Sequence, residues 1–281
     1  MQGPPDLAAI AALVCKQLDF TLVKELGSGA HKRAYLVESD ASTRLALKIA
    51  PVTASLKPRF EREASALSGC SHPSVAVLHD SRAMAFDGRE FWVSVEEFLD
   101  GGTLAERQSL FFQNPSAVKK LGASLAAALD HLRVRSLVHR DIKPANVMFR
   151  SEDQAVLTDF GIVRVLDAPT LTHDFMPQGP GTPLYAAAEQ LLNEKALIDW
   201  RTDQFGLALV LAESAIGFHP FAPEKDLPLA VARVARREPV PAASARKLAE
   251  LGLASLLQAL APWPALRYRR PQDLINALAV V

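Results

Sequence analysis

The sequence predicts an α+β protein of two lobes, a small sheet-rich lobe followed by a larger helical one. Three observations carry this. Through the first hundred residues, apolar and polar side chains alternate with the period of two that suits half-buried strands. Beyond them, the apolar residues recur at helical spacing. Between the two stretches, "DGGT" (100–103) supplies turn chemistry and the best position for a hinge. The expected boundaries are a helical extension over 1–20, the small lobe over 21–99 and the large lobe over 100–281. A chain of 281 residues is long enough for a substantial core.

The elements follow in order. "LAAIAALVC", near the N-terminus, reads as the face of a short helix; Asp6 precedes it and no Lys or Arg does, which argues against a signal peptide. "TLVKEL" and "RAYLVES" read as strands flanking "GSGAH", and "RLALKIA" and "EFWVSVEEF" read as two more. One helix interrupts them at "PRFEREASALSG", with Phe60, Ala64 and Leu67 on one stripe and Gly69 as its stop. In the second lobe, helices are expected at "SAVKKLGASLAAALDHLRVR", "TDQFGLALVLAESAI", "DLPLAVARVARR", "SARKLAELGLASLLQALA" and "RPQDLINALAVV". The longest apolar run, "FGLALVLAESAIGF", contains Glu213 and reads as a buried core helix, so no membrane segment is expected.

Thirty-one basic residues balance 31 acidic ones, so no charged field points to nucleic acid or an anionic membrane, and any anionic ligand must be held by local groups. Two cysteines, Cys15 and Cys70, lack metal-ligand spacing and read as ordinary buried thiols of a reducing, cytoplasmic compartment.

Chemistry concentrates in a few places. In "LALKIA" the period of two sets Leu45, Leu47 and Ile49 on one face and Ala46, Lys48 and Ala50 on the other. The second face is flat except for one ammonium, with room for a planar group beside Ala46. Glu63 lies near the apolar stripe of its helix, where a carboxylate needs a partner: Lys48, or Arg59 and Arg62 on the same helix. Gly27 and Gly29 let a backbone approach a ligand closely, although a hairpin turn would use them too. Finally, "LVHRDIKPANVMF" (137–149) sets His139, Arg140, Asp141, Lys143 and Asn146 between apolar brackets, as in a rigid active-site loop.

"HRDIKPANVMF" is followed by "LTDFG" (157–161) and "GTPLYAAAEQ" (181–190). The order of Gly-rich turn, strand Lys, helix Glu, HRDxKxxN and DFG resembles the eukaryotic-type (Hanks-type) serine/threonine protein kinase family, and its bacterial members most. "RTDQFGLALVLAE" and "PALRYRRPQDL" extend the resemblance across nearly the whole chain. It implies a bilobal kinase fold, ATP and Mg²⁺ as cofactors, protein substrates with Ser or Thr acceptors, and autophosphorylation of the activation segment.

Residue by residue, the resemblance implies that Lys48 holds the α- and β-phosphates and Glu63 holds Lys48. Asp141 orients the acceptor hydroxyl and takes its proton, Lys143 neutralises the γ-phosphate, and Asn146 and Asp159 carry magnesium. Leu26, Ala34 and Ala46 roof the adenine with Gly27 and Gly29 nearby, Met148 forms its floor, and the backbone of Glu97 and Leu99 meets its edge. His139, Phe160 and Leu67 stack in a column anchored by Asp203, and Glu189 pairs with Arg267. Arg140 implies regulation, since a phosphate on Thr170 or Thr172 would dock there.

The sequence departs from the family pattern where Lys32 replaces a third glycine, where Ala188 replaces a proline, and where Glu96 occupies the gatekeeper position. Alternation turns Glu96 the same way as Ser94, where two readings are open: it competes with Glu63 for Lys48, or burial leaves it partly neutral. Two alternatives remain at this level: a pseudokinase or nucleotide-binding scaffold, which the presence of Lys48, Asp141, Asn146 and Asp159 disfavours, and a small-molecule kinase, which "GTPLYAAAEQ" disfavours.

Overall fold

The computed structural model describes residues 5–28, 32–53, 57–160 and 183–279, with the side chains of Ser28, Arg59 and Glu63 outside the description. These residues form two units: residues up to 71 with 76–99, and residues 72–75 with those from 100 onward.

In the first unit, helix α1 (Leu7–Gln17) starts at Asp6, whose carboxylate accepts from the backbone N–H groups of Ala8 and Ala9 at 3.0 and 3.4 Å. Strands β1 (Phe20–Ser28), β2 (Arg33–Ser39) and β3 (Arg44–Pro51), helix α2 (Lys57–Ser68), and strands β4 (Leu78–Phe86) and β5 (Arg89–Glu97) follow. The sheet is antiparallel with strand order β1-β2-β3-β5-β4. On one face, Leu45, Leu47 and Ile49 of β3 are buried in a cluster with Ile10, Ala11, Val14 and Cys15 of α1 and with Val93 and Val95 of β5. Helix α1, from the expected extension 1–20, thus packs directly into the core on this face of the sheet. The opposite face carries Ala46, Lys48 and Ala50, as the alternation requires, and there Phe60 of α2 lies on Trp92 with ring centroids 5.2 Å apart.

Strand β4 was not among the four strands expected from the sequence. It lies at the sheet edge and only Met84 on it is buried, so its apolar alternation is weak. Its one clear signal is the dipeptide Asp87–Gly88, which joins β4 to β5 with positive φ at both residues (50° and 72°), as a tight hairpin turn requires.

The second unit contains α3 (Leu104–Arg107), α4 (Pro115–Val134), the small hairpin β6 (Val147–Phe149) and β7 (Ala155–Leu157), then α5 (Ala188–Leu191), α6 (Trp200–Ile216), α7 (Leu227–Ala235), α8 (Ala242–Glu250), α9 (Ser255–Ala259) and α10 (Pro271–Ala279). Every residue of α6 except Arg201 and Glu213 is buried, which makes it the central helix and explains why its sequence shows no polar face. Helices α4 and α10 meet α6 at Gly122, where an added Cβ would lie 2.8 Å from Leu211 and 2.9 Å from Leu278. The single helix expected over 244–261 is two, α8 and α9, because Gly252 takes φ 67° and breaks it. "DGGT" belongs to this unit. Gly101 N–H donates to Phe149 O and Phe149 N–H to Gly102 O, both at 3.0 Å, and a Cβ on Gly101 would lie 2.3 Å from Phe149 O. Thr103 then begins α3 with a capping box completed by Glu106.

Candidate active site

The loop 139–146 is held from beneath by the central helix. Asp203, in the first turn of α6, accepts the backbone N–H of His139 on Oδ2 (2.6 Å) and that of Arg140 on Oδ1 (2.7 Å). Burial pushes the Asp203 carboxyl up, to about 7, against the pull of these two donors. Arg140 takes φ 65°, and its carbonyl accepts from Gln190 Nε2 at 2.9 Å. Gln190 also accepts from Ala187 N at 3.1 Å, so it ties α5 to the loop. Sequence reasoning missed Gln190, although it directly follows Glu189.

Within the loop, the buried Asn146 donates from Nδ2 to Asp141 O (2.8 Å) and Oδ2 (3.0 Å), and Lys143 Nζ reaches the same Oδ2 at 3.1 Å. Two donors therefore fix one carboxylate oxygen, and a third bond holds the backbone carbonyl of the same residue. Both amide hydrogens of Asn146 serve Asp141, so its carbonyl oxygen is the atom it can offer to a hard cation. Thr158 N–H donates to Asn146 O at 3.0 Å, which anchors the segment carrying Asp159 to this loop. Asp159 takes φ 61°, a conformation uncommon for a non-glycine residue and frequent at functional sites. A carboxylate and an amide oxygen are hard donors, the kind a magnesium ion would take together with phosphate and water. Among the described residues no group of three or more His, Cys, Asp or Glu could hold a metal alone.

Of the column expected at His139, Phe160 and Leu67, the second unit holds the first two, with ring centroids 4.7 Å apart. His139 Nε2 donates to Thr158 O (3.0 Å) while Nδ1 accepts from Asp141 N–H (3.3 Å). His219 has the same arrangement, with Nε2 on Leu184 O (2.9 Å) and Nδ1 accepting from Phe221 N–H (3.3 Å). Both rings are therefore neutral, and burial lowers both pKa values below the ordinary 6.5. The unfolded chain takes up a proton near that value and the folded chain does so only at lower pH. Their stabilisation is complete above the unfolded pKa and is lost as pH falls below it, at up to about 1.4 kcal/mol per pH unit for each ring. Asp203 acts in the opposite sense, so the informative quantity is a difference. Melting temperature measured against pH should fall less steeply on acidification in His219→Gln than in the unaltered protein.

In the first unit, Lys48 pairs across the sheet with Ala34 and with Ser94, and its ammonium lies 2.5 Å from Glu96 Oε2. Each of these two side chains is only 14% exposed. Glu96 is thus in contact with Lys48, while the side chain of Glu63 lies outside the described residues. Ala46 is buried beside Leu36 and Glu96, Leu99 is buried, and Leu26 is exposed. Gly27 pairs with Ala34 and faces open space where a Cβ would be. The N–H of Glu97 donates to Val77 O at 2.9 Å and is committed within its own unit. Met148 sits in β6 opposite Val156. Gly29, Thr170 and Thr172 lie outside the described residues.

A five-stranded antiparallel sheet carrying a strand lysine, and a helical unit carrying this aspartate–asparagine loop, are the parts of a protein kinase domain. Residues 20–250 match the protein kinase domain family, and the chain belongs to it. It is similar to serine/threonine-protein kinase PknF of Mycobacterium tuberculosis, 33% identical over 92% of this chain and 55% of the relative. It is also similar to PknA of the same species, 31% identical over 87% of the chain and 57% of the relative, and to PknJ, 29% identical over 92% and 45%. The chain spans about half the length of these curated relatives. No helix among the described residues is long and apolar enough to cross a membrane.

Proposed function

We propose that the chain is a serine/threonine protein kinase that moves the γ-phosphate of ATP to Ser and Thr hydroxyls of protein substrates, with Mg²⁺ as the metal. The observation that carries this is the carboxylate of Asp141, fixed by Asn146 and Lys143 on a loop anchored to Asp203. Phosphoryl transfer needs alignment and charge neutralisation more than covalent chemistry. Asp141 orients the acceptor hydroxyl and takes its proton, and Lys143 supports the transferring phosphoryl group. Lys48, with Glu63 as its helix partner, supplies positive charge to the α- and β-phosphates, while Asn146 and Asp159 hold the magnesium, which neutralises charge on the phosphates when bound. Leu26, Gly27, Gly29, Ala34, Ala46, Leu99, Met148 and the carbonyl of Glu97 serve the adenine. Cys15 is buried, whereas Cys70, expected to be buried as well, is half-buried just past the end of α2; neither is in a disulfide, which supports a reducing, cytoplasmic setting, and the balanced charge supports protein rather than nucleic-acid partners.

Arg140 supports self-activation. Its Nε is buried without a hydrogen-bond partner among the described residues, as expected of a group awaiting an anion. Phosphate on Thr170 or Thr172 is that anion in this reading. γ-Labelled ATP with magnesium should label a generic protein acceptor, α-labelled ATP should not, and a Thr170→Ala/Thr172→Ala double variant should transfer more slowly. Full activity of the double variant would remove the activation-segment part. Transfer to small hydroxyl compounds in preference to protein would contradict the protein-kinase reading.

A further inference from the structure

We propose that Glu96 is a counter-ion that competes with nucleotide phosphate for Lys48 and so sets the affinity for ATP; this rests on the functional reading above. The geometry is built into the strand register. Lys48 stands opposite Ser94, and Ala46 stands opposite Glu96, so Glu96 is the diagonal neighbour of Lys48 on the same face of the sheet. Its other cross-strand neighbour is Leu78 of the edge strand β4, which offers no charge. The Ser94 and Ala46 side chains between the two are buried and small, and they leave the ammonium a direct path to the carboxylate. The contact, at 2.5 Å with little exposure on either side, is poorly screened by solvent.

Two consequences follow, and they have the same sign. An ammonium already in contact with a carboxylate must share its charge with an incoming phosphate. The carboxylate also adds a fixed negative charge beside the atom that is to receive a polyanion. Removing the charge while keeping the shape, as in Glu96→Gln, should therefore tighten Mg·ATP binding, by about tenfold for a pair interaction of about 1.4 kcal/mol. Adenosine carries no phosphate, so its affinity should not move. In a Lys48→Met background the same substitution should lose most of its effect on ATP, since the coupling runs through the ammonium.

The test is equilibrium binding of Mg·ATP and of adenosine to the purified chain, its Glu96→Gln and Glu96→Met variants, and the Lys48→Met/Glu96→Gln pair, with melting temperatures confirming that each is folded. Tighter ATP binding in both single variants, unchanged adenosine binding and a diminished effect without Lys48 are the expected result. Unchanged or weaker ATP binding in Glu96→Gln overturns the proposal, as does an equal change for ATP and adenosine. A chain that binds Mg·ATP with these differences but transfers no phosphate would contradict the kinase reading and leave the role of Glu96 standing. Failure of every form to bind Mg·ATP would overturn both.

Discussion

Arg267→Ala should destabilise the protein by about 3–5 kcal/mol, as expected when one partner of a buried ion pair is removed. Both Arg267 and Glu189 have side chains with 0% exposure. The guanidinium forks onto the carboxylate, Nη1 to Oε1 at 2.7 Å and Nη2 to Oε2 at 3.1 Å. Its other N–H groups reach Ala261 O, Arg201 O and Pro262 O, at 2.9, 2.9 and 3.3 Å, so all five donors are used. Thr202 Oγ1 donates to Glu189 Oε1 at 2.9 Å, and the Phe205 ring lies 4.7 Å from the guanidinium carbon. Burial draws the Arg267 pKa down and Glu189 holds it up, and an arginine stays charged in either case. Truncation leaves the Glu189 carboxylate buried without its counter-ion. Thermal or urea unfolding will show the loss. Glu189→Ala should cost a similar amount, and the double variant less than the sum, because the second truncation removes the charge that the first left stranded. Additive losses would contradict this account of the pair.

The second large effect is catalytic. Asp141→Asn should reduce phosphate transfer by a factor of about 10² to 10⁴, the usual contribution of a positioned proton acceptor. The neighbours of Asp141 explain why the amide cannot substitute. Lys143 Nζ and Asn146 Nδ2 both donate to Oδ2, so an asparagine would turn its oxygen towards them and its NH₂ towards the acceptor hydroxyl. That hydroxyl would then face a donor instead of a base. Mg·ATP affinity should change little, because Asp141 is assigned to the acceptor and not to the nucleotide. Transfer rates measured alongside nucleotide affinity separate the two. Equal loss of both would show that the substitution disrupts the loop rather than the chemistry.

Much of this was legible in the sequence because the chemistry lies in short contiguous motifs. Asp141, Lys143 and Asn146 fall within six residues and are clamped by bonds among themselves. The face of β3 that carries Lys48 was legible because a strand's period of two permits no other arrangement. The central helix was legible from its apolar run, which no surface helix would tolerate. Less visible was structure set by partners distant in sequence. Strand β4 is an edge strand whose residues are mostly half-buried, so pairing with β5 defines it more than its own pattern does. The break between α8 and α9 depends on a positive φ at Gly252 inside an otherwise helical pattern. Gln190 acts on Arg140 from 50 residues away, and only the fold brings them together. Alternation pointed Glu96 towards Lys48, but only the coordinates show the two in contact at 2.5 Å.

Incubating the purified chain with ATP and magnesium and mapping phosphosites by mass spectrometry, with Asp141→Asn in parallel, tests most directly whether Asp141 serves phosphate transfer to hydroxyls. Phosphate on serine and threonine hydroxyls in the unaltered chain, and almost none in the variant, is the predicted result. A wild-type chain that binds Mg·ATP yet gains no phosphate and passes none to a protein acceptor, or an Asp141→Asn chain phosphorylated as fully as the wild type, would contradict it.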